Sequence, residues 1–349
     1  MVVKFLRYII VCLISYRLNG FHQYLYPRSK QSESTRLLTS SSNDFTGISY
    51  TNKSINQLST QGILSLKSIR SSLIRQEETI IFALIERAQY SSNDIIYDCK
   101  AMSFNSVYGA PLSFLEWMLM ETEKLHAKVR RYKSPEEHAF FPDYLSEPIL
   151  PAIVFPKLLE ERHKSSVNAE ILRWYIGSMI PRLCVAGDDE QHGSSVLCDI
   201  TVLQALSKRI HYGKFVAESK FLSDPDAYTE LLIAGDVSSI VERLTNTEVE
   251  RGVIRRAYVK ASTYGQDITG GTHMFKVDPK LIADIYRDTI IPLTKDVEVR
   301  YLFQRVGLKP PSPETYFEKC RGPIDSLDSV AGSDAENITE KLGKYRKNC

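Results

Sequence analysis

The sequence predicts an all-α protein: a single multi-helix domain with an unstructured N-terminal leader and C-terminal tail. Apolar residues recur every three to four positions in a series of segments between Leu66 and Val306, the spacing that gathers them on one face of a helix. No segment alternates apolar and polar residues with the period of two that a half-buried strand requires, and no internal repeat is present.

Residues 1–20 place Lys4 and Arg7 before a short apolar run, Tyr8 to Tyr16. That run is too short to span a bilayer and has the form of a signal-peptide core. Residues 21–60 are rich in Ser and Thr, with more basic than acidic residues and no hydrophobic period, as in a transit segment or disordered linker. The folded domain is assigned to 61–306. Its first helix is Leu66 to Tyr90, with Leu73, Ile74, Ile80, Ile81, Leu84 and Ile85 in register, and its second is Ser113 to Tyr132, ended by Ser134 and Pro135. Pro142, Pro148, Pro151 and Pro156 force the next stretch to be extended and to wrap the surface. Helical patterns return at Ala169 to Ile180, Cys198 to Lys220, Pro225 to Ala234, Asp236 to Leu244 and Thr247 to Tyr264. After a glycine loop at Gly270 and Gly271, Pro279 to Val306 closes the domain as one helix or a helix pair. The polar tail 307–349, with Pro310, Pro311 and Pro313, is expected to pack poorly; Asn52 and Asn337 head formal glycosylation sequons outside the expected core.

Composition narrows the function classes. The 349 residues are 43% hydrophobic and 25% charged, enough for a sizeable core in a soluble domain. A net charge of +2, without a basic run interleaved with aromatics, argues against a nucleic-acid binder. The six cysteines form no C-x-x-C pair, and there is no glycine-rich phosphate loop and no H-E-x-x-H, so cofactor-free chemistry is allowed.

The stretch Cys198 to Lys220 reads as one long buried helix around which the chain is arranged, with Asp199 near its start, where negative charge is favoured. Arg209 and Lys220 lie three turns apart on one face, with Cα atoms roughly 16 Å apart. Gly213, Val216 and Ala217 lie between them, so the two cations can lean over a shallow apolar floor and bracket a small anion. The same stripe also fits a solvated face whose small residues admit a neighbouring helix.

The segment SKRIHYGKFVAESKF resembles the signature helix of the eukaryotic, all-helical chorismate mutases of plants and fungi, and three more segments resemble that family. SIRSSLIRQEETIIF carries Arg70, LTNTEVE carries Asn246 and Glu250, and IPLTKDVEVRYL carries Thr294 and Glu298. Taken alone, the one-turn pairs Asn246/Glu250 and Thr294/Glu298 fit caps or solvated faces equally well. Glu298 also fits a surface ion pair with Lys295 or Arg300, and Arg70 a surface charge. The resemblance covers roughly Leu64 to Gln304. It implies a dimeric enzyme of that fold that rearranges chorismate to prephenate for phenylalanine and tyrosine synthesis without a cofactor. By the same resemblance, Arg70 and Arg209 hold the two carboxylates of the substrate, Lys220 and a neutral Glu298 meet the ether oxygen, and Asn246, Glu250, Thr294 and Val216 complete the contacts. HAKVRRYKSPEE, with Arg130 and Arg131, and HGSSVLCD, with Gly193 and Ser194 just before the central helix, resemble the site where tyrosine inhibits and tryptophan activates. Ser195, Val196 and Leu197 depart from the fungal pattern there, and Arg130 and Arg131 equally fit a helix C-terminus, where cations are favoured. A signal-like core followed by a basic, Ser-rich stretch beginning at Phe21 resembles the two-part leader of plastids reached through the endoplasmic reticulum, with secretion as the simpler alternative. No stable membrane association is expected once the leader is removed. A catalytically silent exported helical interaction protein, or a secreted active mutase acting on host chorismate, are the other readings.

Overall fold

The computed structural model describes residues 64–101, 112–153, 157–160, 165–267 and 274–321. The leader, the whole linker 21–60, the glycine loop at 268–273 and the last part of the tail, with both sequons, lie outside the described residues. Within them, no helix is long and apolar enough to cross a membrane.

Helix α1, Leu66–Arg87, starts where the Ser65 hydroxyl accepts from the Ser68 amide, and α2, Phe114–Lys128, starts at a capping box between Ser113 and Glu116. Arg130 adopts the left-handed region (φ 71°), which ends α2 before the expected Tyr132. Helix α3, Asn168–Trp174, continues through a π turn, Tyr175–Met179, into Ile180–Leu183. The central helix α4 spans His192–His211 and starts six residues before the expected Cys198; a single turn residue, Tyr212, separates it from α5, Gly213–Ser223. Tyr212 keeps right-handed helical angles (φ −62°, ψ −15°), so α4 and α5 form two nearly continuous segments rather than one unbroken helix. Helices α6 (Pro225–Ala234), α7 (Val237–Leu244) and α8 (Thr247–Tyr264) each begin at a side-chain cap, Asp224, Asp236 and Asn246, and Gly235 ends α6 at φ 68°. A two-residue antiparallel pairing, Gln266–Asp267 with Met274–Phe275, follows, too short to leave an alternation in the sequence. Helix α9, Pro279–Ile285, runs through a second π turn, Tyr286–Ile290, into α10, Ile291–Arg305.

Both π turns precede an Ile-Pro pair. Ile180 and Ile291 donate to the carbonyls five residues back, Tyr175 and Tyr286. Pro181 and Pro292 have no N–H to give and would crowd a carbonyl four residues back, and the wider turn removes that conflict.

Two apolar cores result. One joins α1, α2, α3, α4, α8 and α9 through residues such as Ile80, Ile81, Leu84, Leu203, Leu206 and Tyr286; the other joins α5, α6, α7 and α10 through Phe215, Phe221, Ile240 and Leu302. Asp199, expected to serve the start of α4, lies in its third turn and is fully buried against Arg87 of α1. Arg87 Nε lies 2.6 Å from Asp199 Oδ1, and the Tyr175 and Tyr97 hydroxyls donate to the carboxylate at 2.6 and 2.9 Å.

The tail does not pack poorly throughout. Gly307 (φ 81°) turns the chain, and α11, Phe317–Arg321, lies against α10 and α7, burying Tyr316 and Cys320 in the second core. The packed domain therefore extends beyond residue 306 to at least Arg321.

Candidate active site

Helices α4, α5, α8 and α10 bring charged side chains from distant parts of the sequence to one place. Arg209, in the last turn of α4, is 4% exposed, and its Nη1 lies 3.5 Å from the Thr294 hydroxyl of α10. Thr294 in turn donates to the Ile290 carbonyl at 2.6 Å, so its oxygen is held where Arg209 reaches it. Burial pushes the Arg209 pKa down, opposed by Tyr286, Glu77 and Glu298. One turn beyond Thr294, Glu298 is 5% exposed. Its neighbours do not neutralise it: Arg300 binds Asp296 and Glu170, and Lys295 binds Glu250 at 2.9 Å, an ion pair outside hydrogen-bond geometry. Burial pushes the Glu298 pKa up to about 7, with Glu250 adding to the shift and Lys220, Lys295 and Arg209 opposing it. Those four charged groups come from α5, α8, α10 and α4 and all act on one carboxyl. Among the described residues, Glu298 Oε2 and Arg209 Nε are buried without a hydrogen-bond partner. A carboxylic acid and a guanidinium are thus presented with unused donor and acceptor capacity.

Lys220 is half-buried on α5, and its ammonium donates to the Leu244 carbonyl at the end of α7. Val216, one turn earlier on the same face, is half-buried against the second core. Gly213 does not form an open floor as expected. A Cβ there would lie 2.9 Å from both the Thr294 methyl and the Thr294 carbonyl and 3.2 Å from Glu298 Cγ, so the glycine admits α10 in close approach. Asn246 is exposed and accepts from the Val249 amide at 3.0 Å, which makes it the N-cap of α8. Glu250 follows one turn later and faces Lys295. Arg70 is exposed on α1 and makes no ion pair among the described residues. It sits two turns before Glu77 on the same helix face.

Glu77, Tyr286, Arg256 and Lys260 were not singled out from the sequence, and Lys295 only as a surface partner of Glu298. Glu77 is fully buried, held by Arg256 at 2.8 Å and Lys260 at 3.2 Å. Its place seven residues after Arg70 on an otherwise apolar stripe is the signal that would have found it. Among the described residues, no group of three His, Cys, Asp or Glu is placed to hold a metal ion.

The second set of residues does not converge within one chain. Arg131 is tied to Glu137 at 3.0 Å, to His126 and to Gln204 of α4. Arg130 donates to the Pro151 carbonyl. Gly193 and Ser194 lie inside the first turn of α4 rather than before it, about 15 Å along the helix from Gln204.

Comparisons with known proteins place the chain in a family. The family model described as chorismate mutase type II matches residues 194–299. A chorismate mutase named chloroplastic from Petunia hybrida is 45% identical over 249 residues, covering 69% of this chain and 76% of that protein. The Schizosaccharomyces pombe chorismate mutase is 44% identical over 245 residues, covering 70% and 97%. The crystal structure of the Candida albicans chorismate mutase in complex with L-Trp superposes with a TM-score of 0.66 at 40% identity, covering 74% of this chain and 97% of that one. That of AtCM1 with tyrosine in its allosteric site gives 0.62 at 46% identity, covering 70% and 97%. With that identity over most of the length of these proteins, the chain belongs to the chorismate mutase family and is an isomerase that converts chorismate to prephenate.

Proposed function

We propose that chorismate binds where α4, α5, α8 and α10 converge, with Arg70 of α1 closing the site, and that Glu298 acts there as a neutral acid. The rearrangement is intramolecular, so the protein has to fold the enolpyruvyl side chain over the ring and stabilise negative charge on the ether oxygen as its bond to the ring breaks. Arg209 and Arg70 hold the two carboxylates, since a guanidinium fork matches a carboxylate. Lys220 exchanges the Leu244 carbonyl for the ether oxygen, and Glu298 donates its proton as a hydrogen bond to the same oxygen. Glu250 takes the ring hydroxyl, Thr294 positions Arg209, and Val216 contacts the ring. Asn246 contributes through its amide nitrogen, its oxygen being used as a cap.

The observation that carries this reading is the buried Glu298, unpaired at Oε2 and with a pKa pushed up to about 7 beside Lys220. An ionised carboxylate at that place would repel the developing charge, so the acid form is the active one. Activity, followed as the loss of chorismate absorbance, falls as pH rises through about 7, and Glu298→Gln flattens the profile. A wild-type rate constant from mildly acidic to alkaline pH contradicts the role.

The regulatory reading follows the solved relatives, which hold tyrosine, phenylalanine or tryptophan. Arg130 and Arg131 of one protomer and Gly193 and Ser194 of its partner would form such a site in a homodimer, tyrosine inhibiting and tryptophan activating. Plastid targeting is favoured over secretion by the chloroplastic plant relatives.

A further inference from the structure

We propose that residues 308–321 are a positioning clip for the active site, in which Tyr316 pins Asp296 on the far side of α10 and thereby fixes the rotation of the helix that carries Thr294, Lys295 and Glu298. The inference rests on the role proposed above for Glu298. The clip lies beyond residues 194–299, which the family model matches, so that match assigns it no role.

Nothing in the hydrophobic pattern of the segment predicts that it packs. It does so because Gly307 ends α10 in the left-handed region, where the Gly307 amide donates to the Gln304 carbonyl at 3.0 Å and the Leu308 amide to the Phe303 carbonyl at 2.9 Å. Pro310, Pro311 and Pro313 then stiffen the return. Tyr316 arrives 2% exposed, and its hydroxyl donates to Asp296 Oδ1 at 2.5 Å. Burial first, and Asp296 next, push the Tyr316 pKa well up, so it remains a donor. Arg300 closes the other side of the same carboxylate, Nε to Oδ1 at 3.0 Å and Nη2 to Oδ2 at 2.7 Å, and reaches Glu170 at 3.3 Å. Asp296 is 1% exposed, so these donors supply the hydrogen bonds that water would otherwise give its carboxylate oxygens.

Asp296 and Glu298 point to nearly opposite sides of α10, about 200° apart on the helical wheel. A carboxyl about 6 Å from the helix axis moves about 1 Å for every 10° of rotation, and a misplacement of about 1 Å in an active site can cost about 100-fold in rate. Holding the back of the helix therefore holds its front. The clip also reaches α7, where Lys319 donates to the Ser238 hydroxyl. Helix α7 ends at Leu244, whose carbonyl accepts from Lys220. One segment thus touches both the helix carrying Glu298 and, at its first turn, the helix whose last residue holds Lys220.

The clip acts through position rather than charge. The titratable groups facing Glu298 are Lys220 from α5, Glu250 from α8, Lys295 from α10, Arg209 from α4 and Tyr228 from α6. The clip adds Cys320, fully buried, whose thiol is pushed up to about 12 by burial and Asp296 and stays neutral.

The test is Tyr316→Phe in the full chain, which keeps the ring and removes the pin. Expected are a kcat about tenfold lower, a KM within twofold of wild type, and a fall in the pH-profile midpoint as water gains access to Glu298. In a Glu298→Gln background, Tyr316→Phe should shift no midpoint. Asp296→Asn weakens the same pin from the α10 side and decides the matter if Tyr316→Phe does not fold. Wild-type kcat and midpoint in the folded variant, even with a lower Tm, overturn the clip. A sloping profile that persists in Glu298→Gln alone overturns instead the role of Glu298, and the kcat of Tyr316→Phe still tells whether the clip positions the site.

Discussion

At Glu298 the role proposed in catalysis and the needs of stability oppose each other. An unfolded glutamate ionises near 4.5, whereas in the fold burial holds the proton until about 7. Between those values the unfolded chain has released a proton that the folded chain retains, so stability is lost as pH rises through this window. Above it the loss levels off at about 3 kcal/mol, the equivalent of the difference between the two pKa values. Glu298→Gln removes the titration. Its urea midpoint should match wild type near pH 4.5 and exceed it at pH 8 to 9; parallel stability curves would show that the carboxyl is not held neutral. The reverse trade applies at Arg209, whose Nε has no partner among the described residues. Arg209→Lys keeps the charge and loses the fork. Forfeiting charge-assisted hydrogen bonds worth about 3 kcal/mol should lower kcat/KM about 100-fold.

Between elements, the decisive contacts are those where two helices meet without room to adjust. Glycine to alanine inside a helix ordinarily gains about 1 kcal/mol. At Gly213 the added Cβ would meet the Thr294 backbone carbonyl at 2.9 Å, and a backbone cannot rotate away as a side chain can. Gly213→Ala should therefore lower stability by about 1–3 kcal/mol and reduce kcat, because the displaced helix carries Thr294 and Glu298. A gain in Tm with unchanged kcat would mean that α10 yields freely. The link between α1 and α4 is of another kind. Arg87→Met leaves Asp199 buried without its cation and should cost about 3–5 kcal/mol, and Arg87→Met/Asp199→Leu should recover most of it by urea denaturation. These elements were legible because their apolar period is long and regular. Their joints were not: the π turns depend on where a proline's missing N–H falls within a packed helix, and the break at Tyr212 leaves no trace in periodicity. Gly213 could be read as a floor or a helix contact from sequence, and only the approach of α10 decides. Asp199 looked like a helix-start charge because the start of α4 was placed six residues late, and Tyr316 was missed because three prolines masked the packing that follows them.

At the scale of the whole molecule, the residues assigned to substrate and those assigned to effectors behave differently. Arg209, Lys220, Glu250, Thr294 and Glu298 are separated by up to 89 residues, yet one chain brings them into mutual electrostatic or hydrogen-bond reach. Arg131 instead meets α4 at Gln204, three turns from Ser194. If the effector site takes its arginines from one protomer and its helix N-terminus from the partner, then each dimer holds two sites and each protomer supplies half of both. Arg131→Ala homodimers and Ser194→Tyr homodimers then each lack any intact site. A mixed dimer of the two variants contains one site with both lesions and one with neither, so the mixed dimer should regain about half of the wild-type response to tyrosine and tryptophan, and an equimolar co-refolded mixture, about half of it mixed dimer, about a quarter. A site built within one protomer predicts the opposite, because every site in the mixed dimer would carry one lesion and the response would stay absent. The same mixture separates an effector site from a purely structural role of Arg131, since damage to the fold of one protomer is not mended by a partner whose lesion lies elsewhere.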